Sequence, residues 1–387
     1  MVQRGDRQPQ TVLRLATEAM GTRFEFVLVG DREQHLRAAG EEAIEEVRNL
    51  HQRFSLFRSD SLLSLINRAA AREAIRLDDL TFGMFKAAAE VHAQSGGAFD
   101  LTLAREMRQW GLHTGSSLPE DEPVELTTDE EPPGMLDLRL DPDRGTIAFR
   151  RAGVTVDLGS IAKGHALDIA AEVLRAEGVE HALLHGGTSS IIAFGAAPSQ
   201  STCESRKDST WLSGWPIAIR LPGKAFCSTA EEPPQVRQGE HYLHVCLRDT
   251  ALAVSALHGR VIQTDVGVPD APMSGEKYGH IIDPRTRRPL PYRHTLAAVS
   301  GASAMRCDAW STAFLVFAAR CSENELEPPK LIPAVLQQLT TAKQDHQSLP
   351  DTLTGLAIAR ADSNDAVRVD MIGTPPMTLR SASDEGS

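Results

Sequence analysis

A chain of 387 residues with 41% apolar and 24% charged residues can build a sizeable core and falls among ordinary globular proteins. Its net charge of −12, with no run of basic residues, excludes nucleic acid or an anionic membrane surface as the main partner. Five cysteines without a Cys-x-x-Cys spacing argue against a zinc site and for a reduced compartment; with no apolar leader, no lipoprotein-type cysteine near the start and no apolar run of membrane-spanning length, the expectation is a cytoplasmic protein without stable membrane insertion.

Residues 1–10 read as a flexible leader. Val12 to Val29 reads as strand around Met20-Gly21-Thr22, with Phe24, Phe26 and Leu28 alternating. Leu36, Ala39, Ala43, Ile44, Val47 and Leu50 form one helical face. An extended piece from Phe54 leads through a capped turn to a short helix over Leu62 to Asn67. Asp78 or Asp79 caps the next helix, which ends in the tight turn Ser95-Gly96-Gly97-Ala98-Phe99-Asp100. Residues 113–134 are acidic and contain prolines, a loop composition; Leu136 to Leu140 and Thr146 to Arg150 flank a hairpin signal.

Beyond the middle of the chain, residues 196–213 read as a polar insertion and 230–240 as a polar loop. Strands are expected over Trp215–Leu221, His241–Arg248, Ala251–Ser255 and Leu296–Ser300. Ser303 caps a strong helix from Ala304 to Arg320, and a shorter helix is expected over Pro328 to Gln344. Leu356 to Ala359 reads as a last strand, and from Ser381 the chain is a polar tail. Strands and helices mix without strict alternation, which predicts an α+β fold over a doubly wound sheet.

Two places carry chemistry. Val154, Val156 and Leu158 alternate as in a strand, Asp157-Leu158-Gly159-Ser160 turns, and Ser160 is placed to cap a helix through Ala162, Ala166, Ile169, Ala170, Val173 and Leu174 that closes at Gly178. A helix start offers unpaired N–H groups to an anion such as phosphate, and Lys163 adds charge. The order Lys-Gly rules out a Walker-type loop. The same stretch also reads as an ordinary connection, with Asp157 capping and Lys163 solvated.

In the second place, His280 and Asp283 lie on a strand running into Pro284-Arg285-Thr286-Arg287-Arg288-Pro289. His280 suits a general base or a donor to phosphate or adenine, and equally a structural histidine. Downstream, Asp308 and Thr312 are four apart on one helix face among Ala304, Ala309, Ala313 and Leu315. A carboxylate with a hydroxyl suits Mg²⁺, which keeps water and substrate phosphate as further ligands; the alternative is a buried Asp–Thr hydrogen bond.

Taken in order, Met20-Gly21-Thr22, Phe54-Ser55-x-Phe57-Arg58-x-Asp60-Ser61 with Asn67, Gly97-Ala98-Phe99-Asp100, Asp157-Leu158-Gly159-x-Ile161-Ala162-Lys163-Gly164, Gly186-Gly187, His280-Ile281-Ile282-Asp283-Pro284-Arg285-Thr286 and Asp308-Ala309-x-x-Thr312 resemble the ApbE family of FAD:protein FMN transferases. The motifs span roughly residues 12 to 320. The resemblance implies one T-fold-related α+β unit over residues 11–360 with a central FAD cleft, then a C-terminal segment, 361–387.

It implies that FMN passes from FAD to a threonine of an acceptor protein with release of AMP. By position, Asp308, Thr312 and the Ser160 carbonyl would hold Mg²⁺. Met20, Phe57, Ala98, Phe99, Asp100, Asp157, Lys163, His280 and Ile282 would contact FAD, and His280 with Asp283 would serve catalysis. Relatives are often exported or membrane-anchored. A non-catalytic FAD-binding homologue and an FAD pyrophosphatase giving FMN and AMP are the other readings of the same motifs. Departures stand at Phe57 for tyrosine, Thr188 for aspartate, Val254-Ser255-Ala256 for Thr-Ser-Gly and Arg287 for glycine.

Overall fold

β1 (Thr11–Ala19) and β2 (Thr22–Gly30) form an antiparallel hairpin around Met20-Gly21, both left-handed with φ 50° and 72°. A two-residue turn that matches strand twist needs positive φ at both positions; glycine adopts it freely and methionine does not. A computed structural model of the chain describes residues 11–112, 132–198, 214–221, 241–257, 261–263, 277–321, 353–361, 367–373 and 377–381. The leader, most of the 113–134 loop and of the 196–213 insertion, the 230–240 loop and the helix expected over Pro328 to Gln344 lie outside those residues.

The next elements follow the sequence pattern. α1 (Glu33–Arg53) buries the stripe from Leu36 to Leu50. α2 (Leu62–Ala69) is capped by Ser61, whose hydroxyl accepts from the Ser64 N–H, and α3 (Asp79–Gln94) by Asp78. β3 (Ile75–Arg76), β4 (Leu138–Asp141) and β5 (Thr146–Phe149) make a small sheet, with the short α4 (Ala104–Gln109) between. α5 (Ala162–Ala176) leads by Gly178, φ 78°, into β6 (His181–Gly186) and β7 (Ser190–Phe194).

β8 (Trp215–Arg220), β9 (His241–Leu247), β10 (Thr250–Ala256), β11 (Val261–Gln263), β12 (Lys277–Asp283), β13 (Arg288–Pro291) and β14 (Thr295–Gly301) precede α6 (Ala304–Arg320). After β15 (Leu353–Ala361), β16 (Val367–Gly373) and β17 (Met377–Ser381) follow. Leu356 to Ala359 is therefore not the last strand. β16 pairs with β15, and β17 returns to pair with β9. Val367, Val369 and Met371 do alternate with polar residues, a strand signal that the reading of this stretch as a C-terminal segment passes over.

The main sheet has the order β1-β2-β6-β7-β10-β14-β15-β16, and every neighbouring pair is antiparallel. This is the expected α+β build. Because side chains alternate along a strand, each strand feeds two cores. On β10, Ala251 and Ala253 join the large core with Val47, Leu167, Phe314 and Phe317, while Leu252, Val254 and Ala256 face a second core with Trp215, Leu243 and Val245. β14 divides the same way, Ala297 and Val299 against Leu296 and Ala298. The main sheet is thus covered by α1, α5 and α6 on one face and by the β8-β9-β17 sheet on the other.

Candidate active site

The segment before α5 does not enter a sheet, contrary to its alternation. Val154, Val156 and Leu158 are buried, and the backbone pairs with other groups instead. The Asn67 amide on α2 accepts from the Val156 N–H at 2.8 Å and donates to the Val156 carbonyl at 3.0 Å, and the Asp157 N–H donates to the Leu101 carbonyl. A side-chain amide thus imitates a strand partner, satisfying groups that burial would otherwise leave unpaired. Ser160 is not the cap either. Ile161 occupies that position and makes no side-chain cap bond.

The start of α5 takes its acceptor from α6. The N–H of Gly164, in the first turn of α5, donates to Asp308 Oδ2 at 2.7 Å, and the Ser190 hydroxyl on β7 donates to Oδ1 at 2.6 Å. The first turn of a helix leaves its N–H groups without intrahelical partners, so Asp308 caps α5 from outside. Asp308 is buried, and burial pushes it up to about 6, against Lys163, the Ser190 hydroxyl and the Gly164 N–H, which favour the charged form. Among the described residues its bonded partners are neutral donors.

Thr312 does not bond the Asp308 side chain; its hydroxyl donates to the Asp308 backbone carbonyl at 3.2 Å and lies 3.4 Å from Ser255 Oγ. The alternative of an Asp–Thr hydrogen bond is thus present, but through the Asp308 backbone, which leaves the carboxylate to other partners. Ser255, on β10, meets the Ser311 hydroxyl at 2.7 Å. Sequence reasoning passes over Ser190, and meets Ser255 only inside a departing triplet. Both lie on the helix-facing side of their strands, beside Ile192 and Ala253, but nothing in the sequence says that this face meets α6.

On the other side of the turn, the Gly159 N–H donates to Asp157 Oδ1 at 2.6 Å and Lys163 Nζ to the Gly159 carbonyl at 3.1 Å. Asp157 thus closes its own turn, as short polar side chains do, and Lys163 folds back over it with two ammonium donors to spare. Asp100 accepts on Oδ1 from the N–H and hydroxyl of Thr102. The backbone bond from Asp157 to Leu101 places the Asp100 turn beside the Asp157 turn.

The remaining predicted flavin contacts differ in what they can offer. Phe57 is 44% exposed. Met20 sits in the strained β1–β2 turn, its N–H donating to His51 Nδ1 at 3.1 Å. Ala98 and Phe99 are buried, and both backbone groups of Phe99 are engaged, the N–H by Ser95 and the carbonyl by His92; these two shape the turn. Ile282 is buried with Leu103, Trp110 and Leu112.

His280 is half-buried on β12. Asp283 is tied to Arg320 at the end of α6 by two hydrogen bonds of 2.5 and 3.1 Å and accepts from the Arg285 N–H. Burial would raise its carboxyl, but Arg320, the Arg285 N–H and the nearby guanidinium charges bring it below the usual carboxylate range. A carboxylate held ionised in this way is suited to positioning β12 rather than to carrying a proton.

Arg287, in the β12–β13 turn, is left-handed with φ 54°. Its guanidinium binds the buried Glu106 on α4 and the Pro133 carbonyl, so a position suited to glycine is held by side-chain contacts. His165, next along α5 from Gly164, is buried, its Nε2 without a hydrogen bond among the described residues, and burial and then Arg53 bring it down to about 4.

A profile of the ApbE family matches residues 20–335, most of the chain. The chain belongs to the ApbE family. A curated relative from Vibrio cholerae, named FAD:protein FMN transferase, is 26% identical over 323 residues, covering 81% of this chain and 83% of its own. Another of the same name from Treponema pallidum is 25% identical over 283 residues, 71% of each. Among solved ApbE structures, the apo flavinyl transferase of Pseudomonas stutzeri superposes with a TM-score of 0.64 at 20% identity over 94% of this chain and 95% of that one. The flavin transferase ApbE of Vibrio cholerae gives 0.64 at 21% over 94% and 97%. The ApbE fold therefore extends through the parts of the chain that carry the motifs.

Proposed function

We propose that this ApbE protein is an Mg²⁺-dependent FAD:protein FMN transferase. The acceptor is a threonine hydroxyl of another protein. Its oxygen attacks the phosphorus on the FMN side of the FAD pyrophosphate; the bond to the bridging oxygen breaks, AMP leaves with that oxygen, and the hydroxyl proton passes to His280.

The observation that carries the reading is the seat of Asp308. Among the described residues this buried carboxylate is bonded only to an N–H and a hydroxyl and has no bonded cation to match its charge, an arrangement that is costly unless a cation joins it. The donors that the resemblance assigns are all oxygen: the Asp308 carboxylate, the Thr312 hydroxyl one turn on along α6, and the carbonyl of Ser160, ahead of α5. This set fits Mg²⁺, and Ser160, Asp308 and Thr312 would hold it with water and phosphate completing the shell. When bound, the ion would neutralise charge developing on the pyrophosphate.

The protein's own groups do the rest. Lys163 would bring positive charge to an anion, Phe57 offers an exposed ring to a flavin or purine, and Asp100 and Asp157 keep the two adjacent turns in shape. Asp283, fixed by Arg320, holds the strand that carries His280. The names of the curated relatives support the same chemistry.

The test incubates purified protein with FAD, Mg²⁺ and a candidate acceptor. The expected products are AMP and an acceptor heavier by one FMN on a threonine, read by mass spectrometry. AMP with free FMN would replace this reading with a pyrophosphatase, and tight FAD binding without AMP with a binding protein.

A further inference from the structure

We infer that Asp168 is a positioning residue for the metal ligand Asp308, acting by fixing how α6 sits against α5. The inference rests on the metal reading above. Gly164 and Asp168 are one turn apart on α5; Ala304 and Asp308 are one turn apart on α6. The Gly164 N–H donates to Asp308 at 2.7 Å, while the Ala304 and Met305 N–H groups donate to the two oxygens of Asp168 at 2.7 and 3.0 Å. Each helix therefore lends a carboxylate from its second turn to the unpaired N–H groups of the other.

The exchange needs the two backbones in contact. A Cβ on residue 164 would collide with the Ala304 carbonyl, so glycine is required for the approach. It is also more than α6 needs in order to form. Ser303 already caps that helix, accepting from the Arg306 N–H at 3.2 Å, and Asp168 binds Ser303 as well, accepting from its hydroxyl at 2.7 Å. A second cap brought from another helix adds little to α6 as a helix. What it sets is the register between α5 and α6, and that register decides whether Asp308 reaches Gly164. Asp168 itself is fully engaged by Ser303, Ala304 and Met305, so it acts through Asp308.

The experiment measures Mn²⁺ binding by electron paramagnetic resonance titration, without FAD and without turnover, on wild type, Asp168→Ala and Asp168→Asn. Hydrogen exchange is followed over residues 160–168, and melting curves establish that each protein is folded. Loss of groups that orient metal ligands costs about 10- to 100-fold in metal affinity. The expected result is a folded Asp168→Ala that binds Mn²⁺ at least about tenfold more weakly, with faster exchange at the start of α5.

Asp168→Asn retains one carbonyl acceptor and should fall between the two. A folded Asp168→Ala within about twofold of wild type, well short of the loss such a role implies, overturns the inference. If Asp168→Ala does not fold, Asp168→Asn decides by the same criterion. A wild type that binds no Mn²⁺ overturns the metal reading itself and this inference with it, an outcome visible before any variant is compared.

Discussion

Asp283 and Arg320 meet through two hydrogen bonds, Nη2 to Oδ1 at 2.5 Å and Nε to Oδ2 at 3.1 Å, and fasten the end of β12 to the last turn of α6. One element of that pair carries His280 and the other carries Asp308 and Thr312. Both side chains are largely buried, so breaking the pair leaves a charge without its partner, at a cost of about 3–5 kcal/mol.

Arg320→Ala should accordingly lower stability by about 3 kcal/mol at pH 7 in a urea titration. The pH dependence gives the sign. The carboxyl of Asp283 is depressed in the folded protein, so its contribution is present above the unfolded value of about 3.9 and is lost as pH falls through the lower folded value. The gap between wild type and variant should therefore close below about pH 4. A gap that persists undiminished well below that pH would show that the carboxylate is not its source.

Asp308→Ala should abolish metal-dependent turnover while α6 persists, since alanine favours helix. The structure adds a second consequence. The Gly164 N–H and the Ser190 hydroxyl lose their acceptor, which costs about 1–3 kcal/mol for a buried donor. Turnover and melting are measured together. Normal FMN transfer by this variant would remove Asp308 from the site.

Arg287→Gly sets two effects against each other. Glycine relieves the left-handed backbone, worth about 1–2 kcal/mol, but leaves Glu106 buried without its cation, which costs about 3–5 kcal/mol. Loss of the ion pair outweighs the backbone relief, so a net loss of about 2 kcal/mol is expected by denaturant unfolding. Adding Glu106→Gln to that variant should restore most of the loss. A single variant more stable than wild type would mean that the pair contributes nothing.

His280→Ala separates a base from a structural histidine. General-base catalysis is worth about 10²–10⁴ in rate. The variant is expected to melt near wild type and keep most of its FAD affinity, but to lose at least about a hundredfold in single-turnover transfer at saturating FAD. A large drop in melting temperature with near-normal turnover in the folded fraction would return His280 to the structural role.

Long periodic elements are legible in the sequence. The stripe of α1 and the Ser303 cap of α6 are present as read, and of the two aspartates offered as the cap of α3 it is Asp78 that serves. The failures share a cause. Val154, Val156 and Leu158 alternate in sequence and are buried, yet the backbone partner is the Asn67 amide, 89 residues away. Ser160 looks like a cap, yet the cap of α5 is Asp308, 144 residues from Gly164. Local pattern reports what a residue can do, while the partner that uses it is set by tertiary contact. Asp308 and Thr312 are visible by their spacing; Ser190, Asp168 and Arg320 have no local signature.

The two-sided character of β10 bears on how far this chain can drift without losing its chemistry. Val254 and Ala256 pack into the core behind the main sheet, and only Ser255 between them turns toward Ser311 and Thr312. Replacements at 254 and 256 are therefore felt in a distant apolar layer, where the valine and alanine methyls pack against the second core. The sheet insulates the reactive face from them. Within that triplet only Val254 and Ala256 depart, and Ser255, which is bonded to α6, keeps its hydroxyl, so the divergence lies on the back of the wall.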